Sequence, residues 1–130
     1  MLIEAPFDET TGEIIAAAIE VHRALGPGLL ESMYSECLQC ELATRKLRYI
    51  TQHPLPLVYK GKTLNTSYRV DLIVEDCVVV EVKSVAAILP VHRAQVLTYL
   101  RLTGCPAGLL INFQVAKLMD GVRRVLNPPR

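Results

Sequence analysis

The chain has 130 residues, 51% of them hydrophobic and 5% aromatic, with a formal net charge of +1. That length supports one core rather than two, so a single domain is expected over residues 1–130, and the near-neutral balance excludes a domain that holds nucleic acid by bulk charge alone. No apolar run approaches the roughly 18 residues of a membrane span, and the acidic start from Met1 to Glu13 lacks the basic character of a targeting signal, so a cytoplasmic protein with no membrane partner is expected.

Thr10 followed by Glu13 forms a capping-box pattern, and Ile15, Ala18, Ile19, His22 and Leu25 then recur at helical spacing until Gly26-Pro27 ends the helix. A second helix is expected from after Gly28 to about Lys46, with Leu30, Tyr34, Leu38 and Leu42 as its apolar stripe. Glu31 and Tyr34 are one turn apart and share a face; by composition alone Glu31 is an ordinary first-turn acid that complements the helix dipole. Tyr49 to Tyr59 has strand character, but Pro54 and Pro56 each remove a ladder donor, which places it at an edge or around a bend. After a turn at Lys60-Gly61-Lys62, a strand runs through Leu64 and Tyr68 into the centre of the chain.

That centre, Arg69 to Lys83, reads R-V-D-L-I-V-E-D-C-V-V-V-E-V-K. Two β-branched runs flank Glu75-Asp76, the pattern of a hairpin. Its anomaly is that Asp71, Glu81 and Lys83 sit inside runs apolar enough to be buried, where an unpaired charge costs several kcal/mol by order of magnitude. Either the three neutralise one another as a structural cluster, or the carboxylates hold a divalent cation and the lysine faces an anionic substrate. The turn decides whether the carboxylates can meet. A two-residue loop pairs Asp71 with Val80 and sends them to opposite faces, whereas a three-residue loop over Glu75-Asp76-Cys77, or one bulge, pairs Asp71 with Glu81.

Pro90 fits the first position of a helix that runs to Thr103 and ends at Gly104. Gln95 and Tyr99 are at i and i+4 on it, with His92 on the same side, a polar ridge that by itself reads as a solvated face. Ala107 to Asn112 reads as a buried strand parallel to the one ending at Lys83, since a helix separates them, and Val122 to Leu126 adds a short strand. Of the four cysteines, only Cys37 and Cys40 have ligand-like spacing, and in a helical stretch they read as small buried hydrophobes. The order helix, helix, three strands, helix, strand is an α/β layered domain with a mixed β-sheet.

The run G-P-G-L-L-E-S-M-Y carries Gly28-x-x-Glu31-x-x-Tyr34. With A-I-E-V-H before it, R-V-D-L-I-V-E-D and V-E-V-K in the centre, P-V-H-R-A-Q-V-L-T-Y-L after them and then G-L-L-I-N-F, almost the whole chain resembles the small GxxExxY proteins, a family assigned to the PD-(D/E)XK nuclease superfamily. The resemblance implies a restriction-endonuclease-like fold, a mixed β-sheet flanked by helices in the order α-α-β-β-β-α-β. It makes Asp71 the motif aspartate and Glu81 and Lys83 the ends of the E-x-K element, matches Glu31 to an acid on the first core helix, and likens Gln95 and Tyr99 to a Q-x-x-x-Y helix motif.

Those residues together could hydrolyse phosphodiesters. Asp71, Glu81 and the backbone carbonyl of Val82 offer hard oxygen ligands to Mg²⁺ or Mn²⁺, with Glu31 taking a second ion or reaching the first through water. Lys83 would orient the attacking water or steady developing charge, while Gln95 and Tyr99 would contact the nucleic acid, DNA before RNA. A homodimer is expected, because enzymes that cut both strands of a duplex commonly bring two sites together. The competing reading, from a different class, is a catalytically silent nucleic-acid- or protein-binding module on the same fold.

Overall fold

The computed structural model describes residues 6–65 and 68–129. Helix α1 (Pro6–Leu25) and helix α2 (Glu31–Thr44) precede five strands, β1 (Tyr49–Pro54), β2 (Leu57–Tyr59), β3 (Lys62–Leu64), β4 (Arg69–Val74) and β5 (Val78–Lys83). Helix α3 (Pro90–Thr103), strand β6 (Ala107–Asn112), a 3-10 turn at Leu118–Gly121 and strand β7 (Val122–Leu126) complete the chain. The main sheet has the order β1-β4-β5-β6-β7. Only β5 and β6 are parallel, because α3 crosses between them, and the sheet is therefore mixed.

Both faces of the sheet are covered. Val78, Val80 and Val82 point to α1 and α2 and join Ile14, Leu38 and Leu42 in one core cluster. Val79 points the other way and packs with Val96, Tyr99 and Leu100 of α3 in a second. This is why β5 and β6 are apolar along their length rather than alternating. Gly108 on β6 allows α3 to lie close, since a Cβ there would stand 2.7 Å from Val96 Cγ1. Among the described residues, no helix is long and apolar enough to cross a membrane.

Several boundaries differ from the sequence expectations. α1 starts a turn before Thr10, and Thr11 Oγ1 donates 2.9 Å back to the Asp8 carbonyl from inside the helix. Its buried stripe is Ile14, Ala17, Ala18 and Val21, one residue out of phase with the expected one, and Leu25 is exposed. Leu30 is likewise exposed, being the residue before α2 rather than part of its stripe. The stretch from Tyr49 to Tyr59 breaks at Leu55-Pro56: β1 is an edge strand of the main sheet, while β2 and β3 form a separate hairpin. The expected strand through Leu64 and Tyr68 is interrupted as well, and Thr66 and Ser67 lie outside the described residues. The cysteines are free thiols, and Cys40 is exposed rather than a buried hydrophobe.

The G-P-G turn between α1 and α2 is held from within. Gly26 and Gly28 have φ of 67° and 111°, a region closed to most side chains. The Tyr34 hydroxyl donates to the Gly26 carbonyl and accepts from the Leu29 amide, and the Tyr34 ring stacks on Phe113 with centroids 4.5 Å apart. The motif tyrosine thus pins the start of α2 to the end of β6. We expect Tyr34→Phe, which keeps the stacking and removes the hydroxyl, to cost about 1–3 kcal/mol in urea unfolding; an unchanged midpoint would contradict this role.

Candidate active site

The β4–β5 turn settles which side Asp71 takes. Glu75 and Asp76 both have left-handed backbone, φ 51° and 56°, and the Cys77 amide donates 3.1 Å to the Val74 carbonyl. Cys77 is then an extra residue, so Val74 pairs with Val78, Ile73 with Val79 and Leu72 with Val80. One further step puts Asp71 opposite Glu81, the register that brings the carboxylates together. Beyond Leu72↔Val80 the ladder stops, and the Val82 amide donates 2.9 Å to Asp71 Oδ2 instead of to a strand partner. The Val82 carbonyl leaves the strand on the same edge as its amide, toward Asp71.

Glu81 and Lys83 project to the α3 side with Val79 between the same layers. Glu81 is 4% exposed, with Oε2 3.5 Å from Lys83 Nζ and Oε1 buried without any hydrogen-bond partner. The structural ion pair foreseen as an alternative therefore exists, yet it satisfies only one of the two oxygens. Tyr99 is buried on the facing side of α3, and its hydroxyl is pushed up to about 12, first by burial and then by the charges of Glu81, Asp71 and Tyr68. Gln95, one turn earlier, carries the other buried unpartnered oxygen found among the described residues, Oε1. Tyr99 thus faces the carboxylates rather than solvent, and Gln95 is half-buried one turn before it. His92 is not part of it: its Nδ1 accepts the Leu89 amide at 3.0 Å and caps the helix.

Glu31 stands on the other side. It shares with Asp71, Gln52 and Val82 a cavity of about 440 Å³ lined by α2, and its Oε2 accepts the Ser84 amide at 3.2 Å. Among the described residues no three His, Cys, Asp or Glu side chains converge as a metal cluster, so the carboxylates that meet are Asp71 and Glu81.

Three residues without a sequence signal complete the site. Gln52 faces Asp71 where the β1–β4 pairing skips a step between Thr51↔Leu72 and His53↔Val70. Its φ of 49° is rare for a residue with a long side chain, and its Nε2 lies 3.5 Å from Asp71 Oδ1, the outer limit of a hydrogen bond. Ser84 Oγ donates 2.8 Å to the Leu29 carbonyl, and Asn112, 2% exposed, exchanges two hydrogen bonds with Val85. These tie the loop after β5 to α2 and to β6. Nothing in residue type or spacing marks them, because each acts through a partner distant in sequence, the Asp71 side chain for Gln52 and main-chain groups for Ser84 and Asn112.

A family model described as the PD-(D/E)XK nuclease superfamily matches residues 8–125. The chain belongs to that superfamily. No curated protein and no solved structure matches it. The α/β architecture with its mixed five-stranded sheet is consistent with the restriction-endonuclease-like fold of PD-(D/E)XK proteins, whose nucleases generally use divalent metals. The acids sit where β5 and β6 end side by side, the end of parallel strands at which open α/β sheets bind ligands.

The donors present suit a hard divalent cation. Glu81 Oε1 is a buried oxygen with nothing to accept, Asp71 lies opposite it, and the Val82 carbonyl is aimed at the same gap, an all-oxygen set of mixed charge. Without a cation the pair holds a proton. Burial first, then the charge of Asp71, push Glu81 from 4.5 up to about 8, against the pull of Lys83. The folded state therefore keeps its proton at pH values where the unfolded chain has lost it, so stability contributed by this group is complete below the ordinary carboxylate range and is lost as pH rises through about 8. We expect urea midpoints in EDTA to fall across that window and the fall to be smaller in Glu81→Gln. Parallel pH profiles for the two proteins would contradict the buried pair.

Proposed function

We propose that this PD-(D/E)XK protein is a divalent-metal-dependent nuclease of the GxxExxY type that hydrolyses phosphodiester bonds in DNA. The observation that carries the reading is the buried, unpartnered Glu81 Oε1 opposite Asp71. Two ionised carboxylates side by side in a largely buried strand pair repel each other, and a cation between them would offset that repulsion. Asp71, Glu81 and the Val82 carbonyl would hold Mg²⁺ or Mn²⁺, with Glu31 reaching it through water from across the cavity. When bound, the ion supplies charge neutralisation at the phosphate and a more acidic water.

The chain's own residues supply the rest. In hydrolysis a water oxygen bonds to phosphorus, the bond from phosphorus to the sugar oxygen breaks, and that oxygen takes up a proton. Lys83, mostly buried beside Glu81, holds a positive charge where the phosphorane gathers negative charge, and its ammonium orients the water. Gln52 and the Val82 amide keep the Asp71 carboxylate in one orientation. Tyr99 keeps its proton throughout the working pH range and, with the open acceptor of Gln95, offers hydrogen bonds to nucleic acid rather than acid or base catalysis. A cytoplasmic location and a homodimer belong to the same proposal, the first in keeping with four free thiols.

The test is cleavage of single-stranded, duplex and branched DNA with Mg²⁺ or Mn²⁺, beside calorimetric titration of Mn²⁺. We expect Lys83→Ala to bind Mn²⁺ nearly as wild type does while turnover drops by a factor of roughly 100 or more. Asp71→Ala and Glu81→Ala should lose both. Wild-type protein that cuts none of these substrates would favour the silent binding module, and activity equal in all three variants would exclude this site as its source.

A further inference from the structure

The near-neutral net charge conceals an uneven distribution. From Leu42 to Val70 there is no Asp or Glu, yet Arg45, Lys46, Arg48, Lys60, Lys62 and Arg69 all fall there. Within the fold five of these cations form two groups, Lys46 standing apart in the turn after α2. Arg45 and Arg48 are paired with Glu13 and Glu75 and serve the domain itself. Lys60, Lys62 and Arg69 have no ion pair among the described residues, and all three lie on or at the root of the β2–β3 hairpin.

That hairpin is unusual for what it leaves in solvent. Leu57, Val58, Tyr59, Lys62 and Thr63 are all exposed, with Val58 and Tyr59 60% and 61% accessible. An isolated two-stranded ribbon is marginally stable in water, and this one belongs to neither core cluster of the domain. Its turn is tight, with Lys60 and Gly61 left-handed at φ 49° and 78°. Tyr59 pairs with Lys62 across the strands, and Lys60 Nζ sits 5.5 Å over the Tyr59 ring, so one aromatic and two cations share the tip. Its root is equally well placed. Pro54 pairs with Arg69 and the Leu55 amide donates 3.1 Å to the Tyr68 carbonyl, so the ribbon prolongs the β1–β4 pair from the end that carries Asp71, two residues beyond Arg69.

We propose that the β2–β3 hairpin is a nucleic-acid-gripping arm, in which Lys60, Lys62 and Arg69 take the phosphates of one strand and Tyr59 stacks on an unpaired base, delivering that strand to Asp71. This rests on the nuclease reading above and adds the substrate's grip and form to it. Cations with no carboxylate partner among the described residues match a polyanion, and an exposed ring flanked by lysines is the combination that single strands use, because every base has a stacking face. A second copy of the chain fits less well: a two-fold contact between identical tips would bring lysines against lysines. A run of exposed apolar residues leading to two lysines, on a ribbon outside both core clusters, also gives this segment a role between β1 and β4, which a short turn could join.

The test is binding of a fluorescein-labelled single-stranded 20-mer in EDTA, where no metal-dependent cutting interferes, as a function of salt. In Lys60→Asn/Lys62→Gln, Asn being tolerated at the left-handed position, affinity should fall roughly tenfold and the salt slope should shrink by about 1.4, or 0.7 for each lost phosphate contact. Tyr59→Ala should lose roughly tenfold in affinity with its salt slope unchanged, and Tyr59→Phe should restore it. Melting temperatures should match wild type, since these side chains are outside the core. The proposal is overturned if the variants bind with wild-type affinity and slope, if wild type binds no oligonucleotide, or if light scattering shows that the same variants lose a dimer instead. Loss of binding in the variants with no cleavage by wild type would leave the arm standing and remove the nuclease reading; unchanged binding with intact cleavage would do the reverse.

Discussion

Asp71 and Glu81 can share a site only because the β4–β5 turn contains one residue more than a minimal hairpin. Side chains alternate along a strand, so a slip of a single residue would turn Asp71 to the opposite face from Glu81 and dismantle the centre without changing a single amino acid. The register is enforced at the turn itself. Glu75 accepts the Arg48 amide at 2.7 Å and its own amide donates to the Arg48 carbonyl at 2.8 Å, a reciprocal clamp that also holds its carboxyl below the ordinary range, chiefly through the Arg48 amide. Left-handed backbone at both Glu75 and Asp76 is costly, and this clamp, together with close packing of the valines behind it, offsets it.

The remaining parts of the site are brought to this pair from both faces of the sheet. From one face, the G-P-G turn, Tyr34 and Phe113 fix the start of α2, and Ser84 links that start to the end of β5, which sets Glu31 across a cavity from Asp71. From the other, α3 lies close over β6 at Gly108 and lowers Tyr99 toward Glu81. Backbone strain at Gln52 falls opposite Asp71, in keeping with the tendency of such strain to gather where function over-determines the geometry.

Much of this was legible in the residues. The bounds of α3, from Pro90 to Gly104, follow from proline's fit to the first helical turn and glycine's to the left-handed cap, where Gly104 has φ 78°. Unbroken apolar runs identified β5 and β6 as buried on both faces, and the intervening helix made them parallel. The three charges within the apolar runs of β4 and β5 marked the candidate site because burial makes a charge conspicuous. The register was readable only as a choice between two, since neither Glu nor Asp at the turn carries glycine's strong preference for left-handed backbone. The break at Leu55-Pro56 and the free-standing hairpin were hidden because a three-residue strand buried on neither face has no periodicity to detect. Gln52, Ser84 and Asn112 were invisible for another reason: their partners are backbone groups or a side chain on other elements, which sequence spacing does not express.

The proposed metal site depends on one state of one pair: Asp71 and Glu81 facing each other with an oxygen of Glu81 left unpartnered. Anomalous diffraction from crystals grown with Mn²⁺ measures this directly. The expected result is a manganese peak between the Asp71 and Glu81 carboxylates, with the Val82 carbonyl among its ligands. Crystals saturated with Mn²⁺ that show no peak between the two carboxylates would contradict it.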